Sequence, residues 1–117
     1  MLKLSKKEKR IKRHKKIRKK IFGTPERPRL SFYKTNQHVY AQVIDDTQGR
    51  TLVSASSLEF KNQKLTNKEK VLKTAEILAQ RLKEKNIFQI VFDRGGFSYK
   101  GRTKDFAEAL RRLGIKF

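Results

Sequence analysis

Few residues in this 117-residue chain could do chemistry of any kind. The carboxylates Asp45, Asp46, Glu59 and Asp93 are the only set that could gather two metal ions for phosphodiester cleavage, the reaction of a metal-dependent nuclease. Their placement argues against it. Asp45 and Asp46 are adjacent at the end of a strand-like run, so they point to different sides, and in "DDTQG" they read as turn formers. Asp93 has Arg94 beside it and reads as a cap or an ion-pair partner. His14 and His38 are too isolated for a metal site or a triad. Ser54, Ser56 and Ser57 fit sheet and loop packing better than nucleophilic attack, and no phosphate-cradling GxxxxGK[ST] occurs. With no cysteine there are no disulfides and no thiolate metal ligands, which fits a reducing compartment. The expectation is a protein with no catalytic residues, no metal and no cofactor.

Binding chemistry is better represented. In "FDRGGFSYKGR", residues 92–102, an apolar run ends at Asp93 and Arg94, and Gly95 and Gly96 follow. Glycines there accept positive φ and let another backbone approach closely. A helix beginning near Gly101 to Thr103 would aim free amides and its dipole at a phosphate. If exposed, Phe97 and Tyr99 would stack on bases or riboses, while Lys100 and Arg102 reach phosphates. The structural alternative is a plain Gly-Gly turn with Phe97 tucked into the core.

Charge decides the class of partner. Thirty-one Lys and Arg against eleven Asp and Glu give +20, an excess that calls for a polyanion. Residues 1–22 hold twelve of these cations and a single acid, Glu8, so a basic arm (1–22) precedes a body (23–117). The arm is rich in helix formers but charged all round. Ile11, Ile17 and Ile21 make no continuous stripe, so no face is expected to drive packing on a core. Like charges such as Lys12 and Lys16 at i,i+4 oppose the free helix. The arm is therefore expected to be mobile alone and helical along phosphates. A nuclear-import signal or a membrane-surface helix are alternatives, the latter weakened by the lack of aromatics or leucines on one face. No run approaches a membrane span, and no apolar signal segment begins the chain, which is expected to stay where it is made.

The body must position these groups. "GTPERPRL" reads as a linker, since Gly23, Pro25 and Pro28 favour extended backbone. "LSFYK" and "HVYAQVID" alternate with period two, and "RTLVSAS" does so less regularly, with hairpin-length turns "TNQ" and "DDTQG" between them. In "TNKEKVLKTAEILAQRLKEKN" the period changes: Val71, Ala75, Leu78 and Leu82 line one helix face, widened by Leu72 and Ala79. Thr66 and Glu69 fit a capping box, and Asn86 a stop. "IFQIVFD" reads as a strand buried on both faces, and "TKDFAEALRRLG" as a helix with Phe106, Ala107, Leu110 and Leu113 inward, ended by Gly114. The prediction is a single α/β domain with a mixed sheet in β-β-β-α-β-α order, helices packed on it, and the third and fourth strands parallel.

Three separated blocks, "RPRLSFYKTNQHVYAQVIDD", "FDRGGFSYKGR" and "RLGIKF", together resemble the bacterial-type large-subunit ribosomal protein L-eighteen family. The similarity runs essentially the whole length. It implies an S-eleven-like architecture. It also implies a protein of the large ribosomal subunit, in bacterial cytoplasm or plastid stroma, that binds 5S rRNA and helps attach it to the large-subunit (23S-type) rRNA in the central protuberance, near ribosomal protein L-five. By the same resemblance the RNA-facing residues would be the arm cations Lys6, Lys7, Arg10, Lys12, Arg13, Lys15, Lys16, Arg18, Lys19 and Lys20. To these it adds Arg27 and Arg29 of "RPR", Asn36 and His38 of "TNQHVY", and Arg94, Gly95, Gly96, Phe97, Tyr99, Lys100 and Arg102 of the glycine corner. The chain departs from the family at Lys100, where His is usual, and at Gln37, where Lys is common; "EFKNQKLTN" is shorter than usual and inherits no contact. A generic nucleic-acid chaperone, bound through the arm alone, is the other RNA-binding alternative.

Overall fold

The computed structural model describes residues 4–117. The alternating runs become β1 (Arg29–Lys34), β2 (Val39–Asp45) and β3 (Arg50–Ser56), joined as antiparallel neighbours. The irregularity of the third run has a structural cause: the pairing shifts at Val43 and Ile44, where a bulge inserts Leu52. A short 3-10 turn (Ser57–Phe60) leads to α2 (Asn67–Glu84), β4 (Val91–Asp93) and α3 (Arg102–Arg112). The arm carries its own helix, α1 (Lys6–Arg18).

Sheet order is β3-β2-β1-β4, with β4 parallel to β1. The third and fourth strands do run in the same direction, but from opposite edges, so α2 crosses the whole sheet between them. Leu30, Phe32, Val39, Ala41, Val43, Val53 and Ala55 point to one face and meet Val71, Ala75, Leu78 and Leu82 of α2 and Phe106 and Leu110 of α3. Every one of these is buried, so the period-two and period-3.6 stripes locate the core. The capping box forms as expected, with Thr66 Oγ1 accepting from the Glu69 amide at 3.2 Å and Glu69 Oε1 from the Thr66 amide at 3.3 Å. Asn86 stops the helix by taking a left-handed φ of 58°, a conformation asparagine tolerates.

One expectation is corrected. "IFQIVFD" is not a strand buried on both faces. Only Val91–Asp93 joins the sheet, at its edge, while Gln89 makes a lone parallel bridge to Lys116 and Phe88 stays 47% exposed. The C-terminal residues close the remaining backbone: the Ile90 amide donates to Lys116 O at 3.0 Å and the Lys116 amide to Phe88 O at 2.8 Å. Phe117 stacks on Phe92 with ring centres 5.4 Å apart. No described helix is long and apolar enough to cross a membrane.

Candidate nucleic-acid interface

β4 delivers the chain to Asp93, which lies opposite Ser31 and therefore on the sheet face away from α2 and α3. Gly95 and Gly96 then take φ of 66° and 80°. A Cβ on Gly95 would fall 2.6 Å from Phe32 O, and one on Gly96 would fall 2.3 Å from Arg10 O. Both glycines are therefore required, one by β1 and the other by α1. The backbone that approaches the corner is the chain's own arm. Gly95 O accepts from Arg10 Nη1 at 2.9 Å, and Gly96 O from Arg13 Nε at 3.0 Å.

Beneath this contact lies a buried charge network. Asp93 is 0% exposed and accepts from Arg29 Nη1 (2.8 Å), His14 Nε2 (2.9 Å) and the Gly95 amide (2.9 Å). Arg29, 8% exposed, also donates to both oxygens of Asp46, at 2.9 and 3.1 Å. Asp46 is further held by the Gly23 amide at 2.8 Å and by Arg18 at 3.5 Å. The hydrogen bond from Arg29 lowers the Asp46 pKa to about 2, helped by the Gly23 amide and the charges of Arg29 and Arg18. Burial alone would weaken the Arg29 charge, but Asp46 and Asp93 outweigh it and hold its pKa above the ordinary arginine value. Arg29, expected at RNA, lies inside the protein with three of its donors held by two carboxylates. As expected, no arm face packs on the core, since α1 buries no residue; what the sequence did not reveal is that the arm meets the body through polar groups.

The aromatic pair divides. Phe97 is half-buried, edge-on to Phe32 and Tyr33 at 6.5 and 5.8 Å, with Arg10 and Lys34 over its ring at 4.9 and 5.3 Å. Tyr99 is 40% exposed, its hydroxyl accepting from Arg111 Nη1 at 3.2 Å. Lys100 is exposed and Arg102 half-buried at the start of α3, where Gly101 supplies no side-chain cap. Lys34, which sequence reasoning missed, joins them: burial lowers its pKa, and the charges of Arg102 and Lys100 lower it further. None of Lys34, Arg94, Lys100 and Arg102 has a carboxylate within 4.0 Å among the described residues. The crowding of Lys34 with Lys100 and Arg102, none of them neutralised, favours an anion. Its only sequence signal was a lysine closing a strand beside the "TNQ" turn.

The remaining candidates lie on the arm and on the body. Lys6, Lys7, Lys12, Lys15, Lys16, Lys19 and Lys20 are exposed. Arg27 is exposed, with a long contact of 3.4 Å to Ile90 O. Asn36 is exposed at the β1–β2 turn, at the sheet end that also holds Lys34. His38 is half-buried, and its Nδ1 sits 2.8 Å from Ser57 Oγ, so it braces the turn. The nuclease set is engaged otherwise: Asp45 accepts from the Thr47 amide at 2.9 Å, Asp46 and Asp93 hold Arg29, and Glu59 pairs with Arg81. Among the described residues no group of three or more acids or histidines could hold a metal.

Residues 4–117 match the family model described as "Ribosomal L18 of archaea, bacteria, mitoch. and chloroplast". The chain belongs to the ribosomal protein L-eighteen family. L-eighteen proteins similar to it include one from Aquifex aeolicus, 54% identical over 119 residues, covering 97% of this chain and 96% of the relative. Another, from Thermotoga petrophila, is 50% identical over 117 residues, covering 97% and 96%. A third, from Caldanaerobacter subterraneus subsp. tengcongensis, is 50% identical over 120 residues, covering 100% and 99%. All three are named "Large ribosomal subunit protein uL18". As an L-eighteen protein the chain is a structural ribosomal protein and not an enzyme.

Proposed function

We propose that this chain is a structural constituent of the large ribosomal subunit that binds 5S rRNA and helps attach it to the 23S-type rRNA in the central protuberance, near ribosomal protein L-five. Residues 1–22 act as the arm and 23–117 as the body. The bacterial relatives fit a subunit in bacterial cytoplasm. The observation that carries the reading is the cluster of unneutralised cations Lys34, Lys100 and Arg102, together with the exposed lysines of α1. Lysines engage phosphates without reading sequence, so recognition rests on RNA shape, with Tyr99 adding a stacked base or ribose. About eight such contacts would make affinity fall roughly 10³ to 10⁵ between about 50 and 200 mM salt on the duplex scale.

Filter binding of the purified chain to 5S rRNA and to an unrelated RNA duplex, at several salt concentrations, tests this. Tighter binding to 5S rRNA, with nucleotide protection confined to one region of it, supports the proposal. Equal affinities would favour a generic RNA chaperone instead.

A further inference from the structure

We infer that Gly96 and the buried Arg29–Asp93 pair form a latch that positions the arm helix on the body, so that its lysines meet RNA from a preset face. The inference rests on the RNA-binding reading and concerns how the arm is presented. α1 buries no residue, so hydrophobic burial does not place it. What places it is a row of polar contacts from Arg10, Arg13, His14 and Arg18: Arg13 and His14 follow Arg10 by three and four residues and Arg18 follows His14 by four, which sets them on the body side of the helix. Each is received by a group whose own position is set: the Gly95 and Gly96 carbonyls at their positive-φ turn, and Asp93 and Asp46 gripped by Arg29.

The helix is also sorted by residue type. Its three arginines, Arg10, Arg13 and Arg18, all bond to the body, Arg13 while itself exposed, whereas every lysine of Lys6–Arg18 is exposed and its side chain makes no hydrogen bond among the described residues. Composition alone treats these residues as equivalent charges. Physically they differ: a guanidinium presents several donors in a planar fork suited to carbonyls and carboxylates, and an ammonium is a strongly hydrated point charge. The arginines attach the helix and the lysines remain for phosphate. Gly96 completes the device, because any side chain there would enter the space of the Arg10 carbonyl. A helix already held in place surrenders less conformational freedom on binding than a free one.

The test uses the full-length chain and three variants: Gly96→Ala, His14→Ala, and the triple change Arg10→Lys, Arg13→Lys, Arg18→Lys. Amide hydrogen exchange is read without RNA, and 5S rRNA affinity by filter binding. The latch predicts protected α1 amides in the unmodified chain. In each variant that protection falls, exchange in β1 and α2 is unchanged, and affinity drops about thirtyfold or more, the scale of ordering a segment on binding. The triple variant is decisive because it conserves net charge. If the arginines merely neutralise phosphates, it binds RNA as the unmodified chain does, and the latch is overturned. Unprotected α1 amides in the unmodified chain would overturn it equally. His14→Ala alters only a half-exposed arm residue, so it answers even if Gly96→Ala fails to fold. A protected arm with no preference for 5S rRNA would sink the proposed function while upholding the docking.

Discussion

The imidazole Nε2 of His14 stands 2.9 Å from Asp93 Oδ2, joining the basic arm to the end of the last strand across 79 positions of sequence. The same carboxylate oxygen receives Arg29 of the first strand and the other receives the Gly95 amide, so arm, sheet and glycine corner converge on a single buried carboxylate.

Arg29→Ala should be severely destabilising. It leaves Asp93 in the interior without its main cation and deprives Asp46 of two hydrogen bonds. Removing one partner of a buried pair costs about 3–5 kcal/mol. Urea denaturation should show the midpoint falling with the slope unchanged, and a loss below about 1 kcal/mol would mean that water replaces the guanidinium.

Acid stability should carry the signature of Asp46. Its pKa is lowered from 3.8 to about 2 in the folded chain, so the folded state holds this carboxylate in its charged form more readily than the unfolded state does. The stabilisation is complete above 3.8 and disappears as pH falls toward 2. Lying just beneath the surface, the group contributes about 1–2 kcal/mol. Asp46→Asn should remove that part of the pH dependence in denaturation curves recorded across this interval, and an identical acid limb would assign it to other carboxylates.

Lys12 and Lys16 are exposed on α1 and repel each other one turn apart, so changing both to Ala should leave folding stability within about 0.5 kcal/mol. RNA affinity should fall, and the slope of log affinity against log salt should shrink by about 2. A slope that does not move would mean that neither side chain meets phosphate.

Tyr99→Ala and Phe97→Ala should separate binding from folding. Tyr99 is exposed, and its loss should cost about 1–3 kcal/mol of RNA affinity with little change in melting temperature. Phe97 packs on Phe32 and Tyr33, and its loss should cost about 2 kcal/mol of folding stability. The reverse pattern in parallel melts and binding titrations would put Phe97, not Tyr99, against the RNA.

Deleting residues 1–20 should abolish most RNA affinity yet leave a folded body, since β1, β2, β3, α2 and α3 share a core to which the arm adds nothing apolar. The body should lose about 1–2 kcal/mol, because His14 and Arg18 leave Asp93 and Asp46 while Arg29 still pairs with both. A truncated chain that will not fold would show the arm to be part of the domain.

Periodicity and charge are local properties, and they alone determined much of this protein. The inward faces of β1 and β2, the α2 stripe from Val71 to Leu82, its capping box, the two-glycine corner and the basic excess can each be recognised within a few turns of chain. Tertiary structure decided what depends on distant partners. Arg29 and Arg27 are near-identical in "RPRL", yet one is buried between carboxylates 17 and 64 positions away and the other faces solvent. Lys34 became a candidate only when the fold set Lys100 and Arg102 near it, and β4 became an edge strand only when the sheet chose β1 as its neighbour. The arm's docking face was illegible for the same reason. Hydrophobic burial leaves a repeating trace in sequence because apolar surface must be gathered on one side, whereas hydrogen bonds and ion pairs need only one correctly placed partner anywhere along the chain.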